Sequence, residues 1–221
     1  MLYIIATPIG NLGDFSKRAC EVILECDYLL CEDTRRTGVL LKHYEIKRPL
    51  KSFHKFNEKR FQEQVLDDLK EGSTIGLVSD AGTPTVSDPG QKLIAGCIQE
   101  NLEYTVIPGA SSVLAALVLS GFDPQRFQFL GFLPKTPQKR KNALQEAVDY
   151  LGVTLFFESP HRLVKTLKAL SEIAPDQPLC VCREITKKFE QVFHGTAQEV
   201  HAYWQDRTVK GEIVIVIDAK S

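Results

Sequence analysis

Polar residues mixed with glycine and proline gather in a few short segments, and these are where ligand chemistry is expected. They are Thr7-Pro8-Ile9-Gly10-Asn11, Glu32-Asp33-Thr34-Arg35, Ser79-Asp80-Ala81-Gly82-Thr83-Pro84 and Pro108-Gly109-Ala110-Ser111-Ser112, with a fifth at Ser52-Phe53-His54-Lys55-Phe56-Asn57-Glu58. Each lies at the end of an apolar run of strand length. Glycine lets a backbone approach a ligand closely, and proline fixes a turn. One such loop alone is ordinary punctuation between a strand and a helix. Several at one sheet edge make a ligand-binding rim, because open α/β sheets bind ligands where loops leave the carboxyl ends of strands.

The cations add a second chemistry. Arg35 and Arg36 follow the acidic pair Glu32-Asp33 at a predicted helix start, where the helix dipole disfavours positive charge. That placement suits a substrate phosphate; a surface pair between Asp33 and Arg36 is the alternative. Lys135, Lys139, Arg140 and Lys141 follow Pro134 and open another predicted helix. A run of like charge is ordinarily a solvated face, but the whole chain carries a formal net charge of only −1, so this run is a local positive patch. His161 and Arg162 sit at a strand-to-helix loop, where substrate contact and a domain-interface role both remain open.

Several chemistries are excluded. No G-x-G-x-x-G follows the first strand and no G-x-x-x-x-G-K-[ST] occurs, so dinucleotide and P-loop sites are not expected. No nucleophile elbow and no H-E-x-x-H is present. Asp80 and Asp88 lie in a glycine- and proline-rich stretch, where Asp88 reads as a turn-stabilising residue, and no metal is expected. The six cysteines (Cys20, Cys26, Cys31, Cys97, Cys180, Cys182) form no C-x-x-C pair; buried, reduced thiols are the expectation.

The frame that must position these residues follows from periodicity. With 221 residues, 43% hydrophobic and 25% charged, the chain has the composition of a soluble globular protein of one large or two modest domains. No apolar run approaches a membrane span. The opening Met1-Leu2-Tyr3-Ile4-Ile5-Ala6 ends in a turn rather than a cleavage site, and reads as a buried strand instead of a signal peptide. Strands are predicted at 2–7, 28–32, 49–53, 74–79 and 104–108, with helices at about 15–26, 34–44, 57–71 and 90–100 between them. Phe61, Val65, Leu66 and Leu69 recur on one helical face after the start signal Asn57-Glu58. Alternation of this kind implies crossovers and a mostly parallel sheet.

A small-residue helix, 113–120, stops at Gly121 with Pro124 soon after, which divides the chain into 1–112 and 113–221. The second half reads as strand 127–133, helix 138–151, strand 153–158, helix 161–173, strand 178–184, strand 190–194, helix 196–206 and strand 212–218. The turn at Gly195 and the longer connections suggest a mixed sheet. The expected class is α/β: two αβα domains, mostly parallel in the first and mixed in the second.

Residues 7–14 (TPIGNLGD), 31–41 (CEDTRRTGVLL), 78–90 (VSDAGTPTVSDPG) and 108–117 (PGASSVLAAL) resemble the ribosomal small-subunit RNA 2′-O-ribose methyltransferase I family. GFLPK at 131–135, ESPHR at 158–162, REITKKFE at 183–190 and GE at 211–212 continue the resemblance in order over nearly the whole chain. That family belongs to the tetrapyrrole-methylase superfamily. The resemblance implies S-adenosylmethionine folded into a cleft between two αβα domains, and methyl transfer to the 2′-hydroxyl of a cytidine ribose in 16S ribosomal RNA. It further implies a cytoplasmic homodimer that engages small-subunit RNA or the 30S subunit. There are two departures. Members of the family usually continue beyond the strand expected at 212–218, and their His-Glu-His-Asn-Glu segment is here His54-Lys55-Phe56-Asn57-Glu58, which argues against an acid–base role for Phe56. The alternatives are a precorrin-type tetrapyrrole methyltransferase, disfavoured by TPIGN in place of a G-x-G-P-G-D start, and a non-catalytic assembly factor, disfavoured by the intact ESPHR and REITK.

By resemblance, Pro8, Asp80, Pro108, Gly109, Ala110, Ser111, Ser112 and Ala115 line the cofactor from the first part of the chain, and Phe157, Arg183, Gly211 and Glu212 from the second. Asp80 meets an amino group or ribose hydroxyl, or else caps its own turn. A ribose hydroxyl is a weak nucleophile, so alignment supplies much of the acceleration, about 7–11 kcal/mol in favourable cases, and a base adds to it. Asp33, His54, Glu184 and Lys187 are the candidates. Glu184 has an ion pair with Arg183 as its alternative. Lys187 serves as a base only if its pKa is lowered, and otherwise contacts phosphate. Arg35, Arg36, Asn57, Lys135, Lys139, Arg140, Lys141, His161 and Arg162 are assigned to RNA, the basic run through its backbone.

Overall fold

The computed structural model describes residues 1–55 and 57–219; Phe56, for which no acid–base role was expected, lies outside them. Every expected strand and helix is found, with its ends within two residues of the predicted ones. The chain forms two compact units, Met1–Ser111 and Ser112–Ser221.

The first unit is built on five strands, β1 (Leu2–Ile5), β2 (Tyr28–Cys31), β3 (Leu50–Ser52), β4 (Ile75–Val78) and β5 (Tyr104–Ile107), in the order β3-β2-β4-β1-β5. All neighbours run parallel, with Leu2 level with both Ile75 and Tyr104. Successive side chains point to opposite faces, so each strand feeds two cores. Ile5, Leu29, Cys31, Val78 and Ile107 pack with α1 (Lys17–Glu25) and α2 (Thr34–His43). Leu2, Ile4, Tyr28, Leu30, Ile75 and Leu77 pack with α3 (Glu58–Lys70) and α4 (Gln91–Gln99). Burial on both faces is why β1, β2 and β4 are nearly unbroken apolar runs.

This order also divides the connections between the two faces of the sheet. From β1 the chain moves by α1 and α2 towards β3 on one face, then returns by α3 and α4 to β5 on the other. The helical connections after β1 and β2 therefore lie on one face and those after β3 and β4 on the other, with the carboxyl end of β4 between those of β2 and β1. Such divergence at the carboxyl ends of parallel strands is where open sheets take ligands.

The second unit begins with α5 (Ser112–Ser120). Its sheet holds β6 (Phe127–Phe132), β7 (Val153–Glu158), β8 (Pro178–Arg183), β9 (Gln191–Thr196) and β10 (Ile213–Ile217) in the order β6-β7-β10-β8-β9. Only β6 and β7 are parallel; β10 runs antiparallel to both β7 and β8, and β9 to β8. The last strand thus occupies the sheet centre, and all five of its residues are buried. Phe156, Val181, Ile213, Ile215 and Ile217 face a core shared with α6 (Pro137–Asp149), α7 (Leu163–Ile173) and α8 (Ala197–Trp204), while α5 packs on the sheet through β7, β8 and β10. Thr196 and Glu199 form a reciprocal capping box that starts α8. Among the described residues no helix is long and apolar enough to cross a membrane.

Candidate functional site

At the carboxyl edge of the first sheet the loops are laced together. Thr7 and Gly82 exchange backbone hydrogen bonds of 2.9 and 3.0 Å, and the Thr7 hydroxyl donates to Ser79 O at 3.1 Å. Gly82 holds φ +82°, a conformation open to glycine. Thr83 Oγ1 donates to Ala110 O at 3.5 Å, joining the β4 and β5 loops. A Cβ at Gly109 would stand 3.0 Å from Ala6 Cβ, so the exposed 108–109 backbone lies hard against the end of β1.

Asp80 ties these loops to the next. Its Oδ1 accepts from Asp33 N at 3.1 Å, and Oδ2 stands 3.4 Å from Arg36 Nη1. Asp80 therefore braces the neighbouring loop rather than capping its own turn. Asp33 is the N-cap of α2, accepting from Arg35 N at 2.9 Å, and the Arg35 guanidinium grips the same carboxylate at 3.0 and 2.7 Å. The surface pair is thus Asp33–Arg35, with Arg36 turned to Asp80: a guanidinium two residues on can fold back over its own cap. Hydrogen bonds from Arg35, first from its side chain and then its backbone, hold the Asp33 carboxyl well below the usual carboxylate range.

The β3 loop is half internal. The Asn57 side chain accepts from His54 N at 2.7 Å and donates to Ser52 O at 2.9 Å, so its amide braces its own turn. Lys55 reaches Ser87 O at 3.1 Å. Asp88 is more than the turn residue expected. Burial first, then the like charge of Glu32, pushes its carboxyl up to about 6, against the pull of Lys55. Thr85 and Ser87, both at φ +74°, hold this loop in the left-handed region, at a cost of about 1–3 kcal/mol each. Nothing in the composition of SDPG distinguishes such an aspartate from an ordinary turn residue.

In the second unit the polar residues gather where β8 ends and β10 begins. Glu184 Oε1 accepts from Lys187 Nζ and from Glu212 N, each at 2.9 Å, and Lys187 also reaches Glu212 Oε2 at 2.9 Å. Glu184 and Thr186 stand at φ +53° and +66°; for a β-branched threonine this is a genuine outlier. Gly211 stands at φ +93°, and a Cβ there would overlap the Glu184 carboxyl group. Arg183 donates to Lys210 O at 2.7 Å and Phe189 O at 3.2 Å. It ties backbone together instead of pairing with Glu184, because the left-handed turn swings Glu184 towards Glu212.

Burial alone would lower the Lys187 ammonium, but the two carboxylates outweigh it and hold its pKa above the ordinary lysine value. That is the reverse of what a base requires, so the base assignment of Lys187 is corrected. Burial likewise would raise Glu184, but the Glu212 N–H and Lys187 outweigh it and keep the carboxylate ionised.

Two further assignments change. Arg162 pairs at 2.7 Å with Glu158, whose side chain is fully buried, and donates to Leu133 O at 3.1 Å. Glu158 also accepts from Ser159 N at 2.6 Å and Thr166 Oγ1 at 2.5 Å, so Arg162 compensates a buried charge and is not spare for RNA. Arg140 lies on the packed side of α6 with Leu144, Ala147 and Val148, while Lys135, Lys139 and Lys141 are exposed, as is His161. Phe157 packs against Phe129 and Phe132, with ring centroids 4.8 and 5.3 Å away. Ser111, Ser112 and Ala115 are half-buried at the start of α5. Sequence reasoning also passed over the exposed Phe189; an aromatic set among Lys187, Lys188 and Glu190 in a loop was the available signal. Among the described residues no group of three or more His, Cys, Asp or Glu side chains could hold a metal ion.

Comparison with known proteins places this geometry. Residues 1–201 match a family model described as Tetrapyrrole (Corrin/Porphyrin) Methylases. Proteins named ribosomal RNA small subunit methyltransferase I are similar over nearly the full chain. The one from Synechocystis sp. is 44% identical over 98% of this chain and 78% of its own length. The one from Thermotoga maritima is 42% identical over 99% of this chain and 98% of its own length, and the one from Halalkalibacterium halodurans 42% identical over 98% and 75%. Among solved structures, diphthine synthase superposes with a TM-score of 0.73 at 17% identity, covering 100% of this chain and 91% of that one. Uroporphyrin-III-C-methyltransferase from Thermus thermophilus gives 0.65 at 16%, covering 98% and 93%. At such identities the likeness is one of fold.

Proposed function

The chain belongs to the ribosomal RNA small subunit methyltransferase I family, and from that premise we propose that it methylates the 2′-hydroxyl of a cytidine ribose in 16S ribosomal RNA, with S-adenosylmethionine as donor. The observation that carries this is identity of 42–44% to three such relatives across at least 98% of the chain. The polar, glycine-bearing loops joined at the carboxyl ends of β1, β4 and β5 support it.

The residues at each unit's strand ends, taken singly, fit the donor's chemistry. Asp80 offers a carboxylate that is 22% exposed, suited to an amino group or ribose hydroxyl. The 108–111 segment offers bare backbone where Gly109 carries no side chain. Arg183 and Gly211 hold the Glu184–Glu212 backbone in place for the same task. When bound, S-adenosylmethionine supplies a methyl carbon on positively charged sulfur, open to in-line attack.

The protein's part is then alignment and charge. Lys187, held cationic between Glu184 and Glu212, fixes the geometry of that cluster. Hydrogen bonds hold the carboxyls of Asp33 and Glu184 low and make them weak bases, and of the candidates we assign His54, half-buried after β3, as the proton acceptor. Lys135, Lys139 and Lys141 supply exposed positive charge for the RNA backbone. We also assign a homodimer, supported by exposed apolar side chains at Tyr104 and Val106 on edge strand β5 and Val118 on α5, and a cytoplasmic site of action, where the RNA substrate resides. Mass mapping of ribose methylation in small-subunit RNA after deletion of the gene tests the activity. One cytidine should lose its 2′-O-methyl group, and an unchanged map would refute the assignment.

A further inference from the structure

We propose that Phe189 is a stacking platform for an unpaired base of the RNA substrate, an inference that rests on the RNA-methylating activity proposed above. Its ring is 67% exposed on the loop between β8 and β9, yet the loop is firmly held. Arg183 Nη1 donates to the carbonyl of Phe189 itself at 3.2 Å. Lys187 N donates to Glu184 O and Glu190 N to Lys187 O, each at 3.0 Å, and Thr186 N donates to Glu190 Oε2 at 2.5 Å. With Glu184 and Thr186 both left-handed, the backbone leaves the ring directed outwards instead of folded onto the core.

An aromatic ring held in water by a constrained loop exposes apolar surface that folding alone would hide. The neighbouring charge indicates what covers it. Lys188 Nζ lies 5.7 Å from the ring centroid, while the neighbouring Lys187 is already held by Glu184 and Glu212. A cation beside an exposed aromatic suits single-stranded nucleic acid, whose bases stack on the ring while the lysine meets a phosphate. A ribose hydroxyl within a paired helix is poorly presented for in-line attack, so holding a neighbouring base out of its stack also aligns the acceptor.

The test compares Phe189→Ala, Phe189→Leu and Phe189→Trp on 30S subunits lacking the modification, with S-adenosylmethionine affinity measured separately by calorimetry. Stacking predicts that Ala and Leu each raise KM for the subunit roughly 5- to 100-fold, with kcat at saturating subunit and donor affinity unchanged, while Trp stays near wild type. A Leu variant as good as wild type would mean apolar packing rather than stacking and would overturn the proposal. So would an Ala variant that loses dimerisation by light scattering but keeps its KM. A wild-type protein that methylates no RNA would remove the underlying activity itself, a result distinct from either.

Discussion

Two ion clusters, one in each unit, restrain a cation with carboxylates, but they are built in opposite ways. Asp33 and Arg35 are two residues apart; the pair forms on the N-cap of α2, and the arginine side chain is 89% exposed. Lys187 bridges carboxylates 3 and 25 residues away, is 25% exposed, and depends on left-handed backbone at Glu184, Thr186 and Gly211. An exposed pair of the first kind contributes little to stability and can release its cation to a substrate at small cost. The second is preorganised, its charge fixed before anything binds. The first unit thus offers a guanidinium that can change partner, and the second a charge that cannot.

Gly211→Ala should break the second cluster most completely. The new methyl overlaps the Glu184 carboxyl group at a φ of +93°, so thermal unfolding should show a loss of about 2–4 kcal/mol, with methylation abolished. A wild-type melting curve would mean that the cluster is not tightly built. Lys187→Ala leaves two carboxylates facing each other. Turnover should fall at least about tenfold and stability by about 1–2 kcal/mol, with Lys187→Arg recovering part of both.

The first unit has its own unneutralised charge at Asp88, and here the sign is opposite. Its folded pKa of about 6 lies above the ordinary 3.8, so its contribution is full below about pH 4 and is lost as pH rises through about 6. Asp88→Asn should therefore be more stable than wild type near pH 8, by about 1 kcal/mol after allowance for solvent screening, and should lose that advantage near pH 4. Chemical denaturation at the two pH values decides this. The smallest effect is expected of Arg35→Ala. Asp33 still caps α2 by accepting from the backbone N–H of residue 35, so the melting curve should be nearly unchanged, while the slope of log RNA affinity against log salt should weaken by about 1.

The same contrast explains what the sequence made legible. Local features were readable: the strand–helix alternation, the helix start after Glu32-Asp33, and the glycine-rich loops at strand ends. The i, i+4, i+7 relation of Arg140 to Leu144 and Ala147 was also open to helical spacing, whereas Glu158 ends β7 and meets Arg162, the N-cap of α7, across a strand-to-helix turn that spacing does not reveal. Non-local features were not readable. The IVIVI of β10 signals burial on both faces but not its insertion, antiparallel, between β7 and β8. The Lys187–Glu212 contact spans 25 positions, and the left-handed turn that turns Glu184 away from Arg183 occurs at a residue type that does not announce it. The RNA-facing surface is the least local of all, since it depends on which cations stay exposed once the helices pack.

The central claim is ribose methylation of small-subunit RNA, and the most direct test supplies purified protein with isotopically labelled S-adenosylmethionine and 30S subunits from a strain lacking the gene. Nuclease digestion and mass spectrometry of the RNA then locate the label. The account predicts incorporation into a single 2′-O-methylcytidine, abolished in the Gly211→Ala protein and reduced in Lys187→Ala. Label on a base instead of a ribose, or no label in RNA together with methylation of a tetrapyrrole offered in parallel, would contradict it.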